Sequence, residues 1–143
     1  MKIILLLGVF LFFYEIVLSQ NLQGEWKGYF TESSTGGETA ISFTFVKKND
    51  SVFTATSTTF LKTFTHNDTA VCVLGGGFAE KNILYLAEEK SLKPFSGTDV
   101  GTCLQLMKLR YYKTKKELVL HGTWFTETEN CGSGSIHLTK KLK

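Results

Sequence analysis

The chain has little proline, little arginine and few cysteines. Its 143 residues contain a single proline, Pro94, which excludes a proline-rich linker or a collagen-like chain. Arg110 is the sole arginine, and the formal net charge is only +3. Strong nucleic-acid binding needs many phosphate contacts, so the charge argues against it. The lysines stand singly or in pairs such as Lys47-Lys48, Lys115-Lys116 and Lys140-Lys141, as solvated strand ends do. The three cysteines include no C-x-x-C pair and no clustered histidine, so neither a zinc site nor another metal centre is expected. There is no G-x-S-x-G, no P-loop and no H-E-x-x-H, and no cofactor is implied. Hydrophobic residues make up 43% of the chain and charged residues 20%, enough apolar material for one core and too much for a disordered tail.

The one long apolar run lies at the start. Lys2 precedes an apolar stretch from Ile3 to Tyr14, interrupted by Gly8, and Val17-Leu18-Ser19 offers compact residues to a signal peptidase. This is the pattern of a secretory signal peptide over 1–19, with a mature domain over 20–143. Glu15 ends the run well short of the ~20 apolar residues that a spanning helix needs. No membrane span is expected after cleavage, and the address is secreted, periplasmic or cell-surface. In a eukaryotic pathway Asn49-Asp50-Ser51 and Asn67-Asp68-Thr69 would be glycosylation acceptors.

The rest of the chain repeats with period two. Ile41, Phe43 and Phe45 alternate with Ser42 and Thr44. Trp26, Gly28 and Phe30 alternate with Lys27, Tyr29 and Thr31. Leu118, Leu120, Gly122 and Trp124 alternate with His121 and Thr123. Such alternation sets one side of each strand against a core. Nine runs are expected near 23–31, 39–47, 51–59, 60–66, 70–77, 82–89, 102–113, 117–126 and 134–141. The third and fourth can form one bent strand, which gives eight. Turn signals separate them at Ser33 to Gly37, Lys48 to Asp50, His66 to Asp68, Gly75 to Gly77 and Asn130 to Gly134. Lys90 to Gly101 reads as the one long connection, a candidate mobile loop or lid. Short, evenly spaced strands predict an all-β fold, either a closed up-and-down antiparallel barrel of about eight strands or a sandwich. The barrel is favoured because Leu22-x-Gly24-x-Trp26 and Leu120-x-Gly122-x-Trp124 place a glycine bend and a tryptophan on two different strands.

The G-x-W opening followed by a meander of strands resembles the lipocalin-like (calycin) barrels. The last forty residues carry Cys103, Leu109-Arg110-Tyr111, Leu120-x-Gly122-x-Trp124, Cys131 and Gly134-Ser135-Ile136-His137-Leu138-Thr139-Lys140. They resemble a group of small exported bacterial β-proteins with the pattern L-x-G-x-W…C…G-x-I-x-L-x-K. An avidin-like barrel shares the G-x-W opening. These resemblances imply a fold and an address, not a mechanism.

Tight turns over Lys113 to Lys116 and Glu129 to Cys131 set a register for the last three strands. In it Leu104, Leu106, Leu118, Leu120, Trp124, Ile136 and Leu138 share the core face. Gln105, Met107, Tyr111, His121, Thr123 and His137 share the other. Cys103 and Cys131 fall at one end on one face, close enough for a disulfide. Cys72, in Ala70-Val71-Cys72-Val73-Leu74, reads as a buried inert thiol. Glu88-Glu89 reads as a strand end in solvent. The same register puts Lys108 and Arg110 on the core face, between Leu106 and Tyr112. Arg110 could then stack on Trp26 or Trp124, hold a carboxylate or phosphate inside the barrel, or lie past the core in water. Arg110, Lys108, Tyr112, Trp26 and Trp124 are the candidate ligand-binding residues.

An eight-stranded barrel has room for one small ligand at most. The expected function is an exported, non-catalytic protein that holds a small apolar or anionic ligand. The alternative is a secreted protein-interaction or inhibitor module with a filled barrel, and an enzyme comes third because no catalytic set is visible. Gly28, Ala55 and Gly122 would leave space inside, while Trp26, Trp124 and Phe43 would fill it.

Overall fold

The computed structural model describes residues 22–49, 51–62, 65–96, 104–128 and 131–142. Eight antiparallel strands follow one another: β1 (Gly24–Glu32), β2 (Glu38–Lys47), β3 (Val52–Lys62), β4 (Asn67–Glu80), β5 (Ile83–Lys93), β6 (Gln105–Lys113), β7 (Glu117–Thr126) and β8 (Ser133–Lys141). Each pairs with the next, and β8 returns to β1, so the sheet closes as an up-and-down barrel. Closure leaves no edge strand to recruit another chain. The runs near 51–59 and 60–66 share one strand, β3, over Val52–Lys62, as the eight-strand reading requires.

The alternating residues carry the core. Trp26, Ile41, Phe43, Phe45, Phe53, Leu74, Leu84, Leu109, Leu120, Ile136 and Leu138 are buried in one cluster. The cluster runs along the barrel, with Trp26, Phe45, Phe53 and Tyr111 towards the end where β1 begins and β2 finishes, called here the closed end. Leu22 plugs it, and Trp26 donates its indole N–H to the Leu22 carbonyl at 2.7 Å. Phe45 and Tyr111 meet the Trp26 ring edge-on. Lys140 lies 5.8 Å from that ring and donates to the Gln23 carbonyl.

The glycines of the two L-x-G-x-W segments are required for different reasons. Gly24 has φ +99°, the left-handed region that suits glycine. Gly122 has no such φ, but a Cβ there would stand 1.9 Å from the Lys108 carbonyl oxygen, so neighbouring backbone occupies the space. Gly28 is alike, 1.8 Å from the His137 carbonyl. These glycines let strands coil closely; they do not leave interior room, contrary to expectation.

Three expectations on the strands are corrected. Gly75 to Gly77 is not a turn but the middle of β4, where a Cβ at Gly76 would meet the Tyr85 carbonyl across the sheet. The turn comes later, at Lys81-Asn82, where Asn82 takes φ 64°. β5 runs on to Lys93, so the long connection begins at Pro94 rather than Lys90. The β6–β7 register is one residue from the expected one. The hairpin turns on Lys115-Lys116 alone: Thr114 N–H bonds the Glu117 carbonyl and Lys113 pairs with Leu118. A slip of one flips every side chain of a strand. Met107, Leu109 and Tyr111 therefore face the core, while Leu104 is 41% exposed. The expected core residues of β7 and β8 (Leu118, Leu120, Trp124, Ile136 and Leu138) are buried.

Candidate functional site

The flip of β6 moves the predicted site. Arg110, Lys108 and Tyr112 lie on the outer wall, exposed. Lys108 sits 5.5 Å from the Tyr85 ring. The Tyr85 hydroxyl holds its ammonium above the ordinary lysine value. Arg110 stands opposite Ile83 and His121, away from both tryptophans. Trp26 and Trp124 are inside, at opposite ends. The structure thus brings none of the three β6 residues to the tryptophans, and an interior cation for an anionic ligand is gone from β6.

His121 and His137 are directly paired across β7 and β8, with ring centroids 5.6 Å apart. Tyr29 stacks on His137 at 5.5 Å. This is an outer-surface aromatic row, and among the described residues no group of three metal-ligating side chains forms.

The interior differs from end to end. Strand pairing assigns the inward positions: Ser57 lies opposite Cys72, Thr59 opposite Ala70, and Cys72 opposite Ser91. They run from the middle of the barrel, where Ser57 also pairs with Phe43, towards the end where β3 finishes and β4 starts, called here the mouth. Ser57 is the buried polar side chain among the described residues. Thr59, Ala70, Cys72, Glu88, Ser91 and Gln105 are only half-buried. The opposite wall is aromatic. Trp124 is buried, meets Phe30 edge-on at 5.7 Å and donates to the Thr31 carbonyl at 3.0 Å. The mouth therefore has a polar wall on β3–β6 and an aromatic wall on β7–β1.

Glu88 occupies a break in the sheet. Among the described residues β5 and β6 share five residue pairs, Ile83↔Arg110 to Ala87↔Leu106, and Glu88 and Gln105 do not continue the ladder. Where the next bond would fall, a Glu88 carboxylate oxygen accepts the Gln105 N–H at 3.0 Å. Bulges between Val71/Cys72 and Val73/Leu74 bend β5 away there and let Cys72 face Ser91. Glu88 is thus not a solvated strand end as expected. Burial raises its carboxyl above the usual range, partly offset by the Gln105 N–H and the Cys72 thiol. The same burial, with the Glu88 charge, pushes the Cys72 thiol up to about 11. Cys72 is the free cysteine among the described residues. Cys103 lies outside them, as do residues 1–19.

Asp68 fixes the start of the β5–β6 connection. It accepts the Ser96 N–H at 2.6 Å and the Thr69 N–H at 2.8 Å, and Lys93 stands 3.8 Å away. Those bonds, the Ser96 one foremost, hold its carboxyl below the usual value.

The sequence reading missed Glu88, Ser57 and Gln105. A carboxylate after an apolar run reads as a strand end, and only the short β5–β6 ladder reveals otherwise. No family model and no curated protein matches the chain. Among solved structures it is similar to a redesigned β-barrel, at 10% identity and TM-score 0.58, over 87% of this chain and 95% of that one. At that identity the likeness shows the fold alone.

Proposed function

We propose that this chain is a non-catalytic carrier, lipocalin-like in architecture, whose mouth holds one small, largely apolar ligand bearing a neutral polar group. The observation that carries the reading is the asymmetry of the interior. One end is packed solid around Trp26, while the other is half-buried and lined by Ser57, Cys72, Glu88, Gln105, Phe30 and Trp124. Such sites are mainly apolar with a few placed polar groups. Arg110 and Lys108 face outwards, which removes the support for an anionic ligand. A carboxylate ligand would instead meet Glu88, so a hydroxyl, carbonyl or amide suits the mouth better.

The same residues argue against catalysis. A nucleophilic cysteine needs a lowered pKa and an adjacent base. Cys72 has a raised one and a carboxyl for a neighbour.

The test is native mass spectrometry of the purified protein, followed by titration with decanol and decanoate. A co-purified neutral lipophile, or saturable decanol binding tighter than decanoate, is the expected result. Tighter decanoate binding, or no saturable binding of either, overturns the reading.

Export and the Cys103–Cys131 bridge belong to the same proposal. Intact mass of exported material should place the N-terminus within two residues of Gln20. Non-reducing peptide mapping should join the Cys103 and Cys131 peptides and leave Cys72 unlinked.

A further inference from the structure

Among the described residues, five of the nine exposed large apolar side chains stand at the mouth. Phe60 and Leu61 close β3, Leu92 stands on the last turn of β5, Leu104 precedes β6, and Phe125 lies near the end of β7. They are 46, 38, 55, 41 and 44% exposed. Leu92 and Leu104 stand on the two sides of the β5–β6 break. The closed end exposes Val46, Val52 and Tyr112, and Tyr29 stands midway along β1. Scattered surface hydrophobics are ordinary, but five clustered around one rim mark a contact surface.

Charge selects the partner. The exposed carboxylates of Glu38, Glu89 and Glu127 also lie at this end. They outnumber the exposed ammoniums of Lys62 and Lys90, because Lys93 is paired with Asp68. Two copies meeting mouth to mouth would set these carboxylates against each other. An anionic membrane would repel them. A zwitterionic phosphatidylcholine surface presents its quaternary ammonium outermost, beside an apolar interior that accepts Phe and Leu side chains.

We propose that the mouth docks on a zwitterionic lipid bilayer, with Phe60, Leu92 and Phe125 entering the interface. The inference rests on the carrier reading for its purpose, since a largely apolar ligand resides in such a bilayer. Docking itself is measured on ligand-free protein and stands or falls alone.

The experiment is co-sedimentation of the full chain with phosphatidylcholine vesicles. The wild type should pellet, less so when phosphatidylglycerol replaces a quarter of the lipid. Phe60→Thr with Leu92→Thr should weaken partitioning by about fivefold or more, on the apolar area withdrawn. Threonine keeps strand propensity, and Val46→Thr with Val52→Thr at the closed end is the matched control, expected to pellet as the wild type does. Absence of pelleting overturns the proposal, as does an equal loss in both double variants or tighter binding with phosphatidylglycerol. Light scattering that shows a dimer dispersed by Phe60→Thr and Leu92→Thr also overturns it, assigning the rim to a second copy. Decanol titration without vesicles then reports on the carrier reading separately.

Discussion

Glu88 is an acid whose folded form favours the proton, and Cys72 is a thiol kept from ionising beside it. Because burial raises the Glu88 pKa, folding takes up a proton between its ordinary value of 4.5 and the raised one. Its ionised form costs stability above that window, and the cost is absent below it. Glu88→Gln keeps an oxygen for the Gln105 N–H and removes the charge. Chemical denaturation should show the variant more stable than wild type at pH 8 and equal to it at pH 4. Loss of stability at pH 8 would contradict the burial argument. The same variant should speed iodoacetamide labelling of Cys72 at pH 8, since the Glu88 charge helps hold the thiol up. Asp68 works in the opposite sense. Its lowered pKa contributes stability above the ordinary carboxylate range, and that contribution fades as pH falls through the lowered value. Arg110 matters less than the sequence suggests. Arg110→Met should change stability by no more than ~0.5 kcal/mol, as exposed substitutions away from special features do, and should leave decanol binding unchanged. A larger change in a thermal melt or a titration would restore it to the site.

At the scale of the element, most strands were legible because one face of each is buried. β2 alternates Ile41, Phe43 and Phe45 with polar residues, and its pattern fixes its face. β6 was not legible in the same way. Leu104, Leu106, Met107, Leu109, Tyr111 and Tyr112 offer apolar residues on both faces, so only the turn decides. A two-residue turn at Lys115-Lys116 gives the observed parity, and one residue more reverses it. The predicted site on Lys108, Arg110 and Tyr112 fell with that single slip. The two L-x-G-x-W glycines answer local needs, a left-handed φ at Gly24 and backbone crowding at Gly122. Gly122→Ala should therefore destabilise the barrel by ~1–3 kcal/mol, the usual cost of overpacking, since its Cβ would meet the Lys108 carbonyl at 1.9 Å. A urea melt reads this, and an unchanged midpoint would mean that β6 and β7 can part without cost.

At the scale of the molecule, the barrel is sealed at one end and incomplete at one seam. Seven of the eight strand junctions are regular or long ladders, whereas among the described residues β5 and β6 share five residue pairs and a side-chain bond from Glu88. Local opening concentrates where hydrogen bonds are few. Amide exchange should be faster at Glu88–Lys90 and Gln105 than at Ala55–Thr58 on the β3–β4 ladder, and equal protection would remove the seam. The alternation could predict closure and eight strands, but neither the polar wall nor the short ladder has a sequence signature, because both arise from where distant strands stop pairing. The central claim is that a small neutral lipophile sits in the mouth, against Ser57, Cys72, Glu88, Gln105 and Trp124. The most direct test is an amide and indole NMR titration with decanol. The account predicts saturable shifts at those five residues, while Trp26 and Tyr111 at the closed end and Arg110 and Tyr112 on the outer wall stay still. Shifts confined to the outer wall, or none at the mouth, would contradict it.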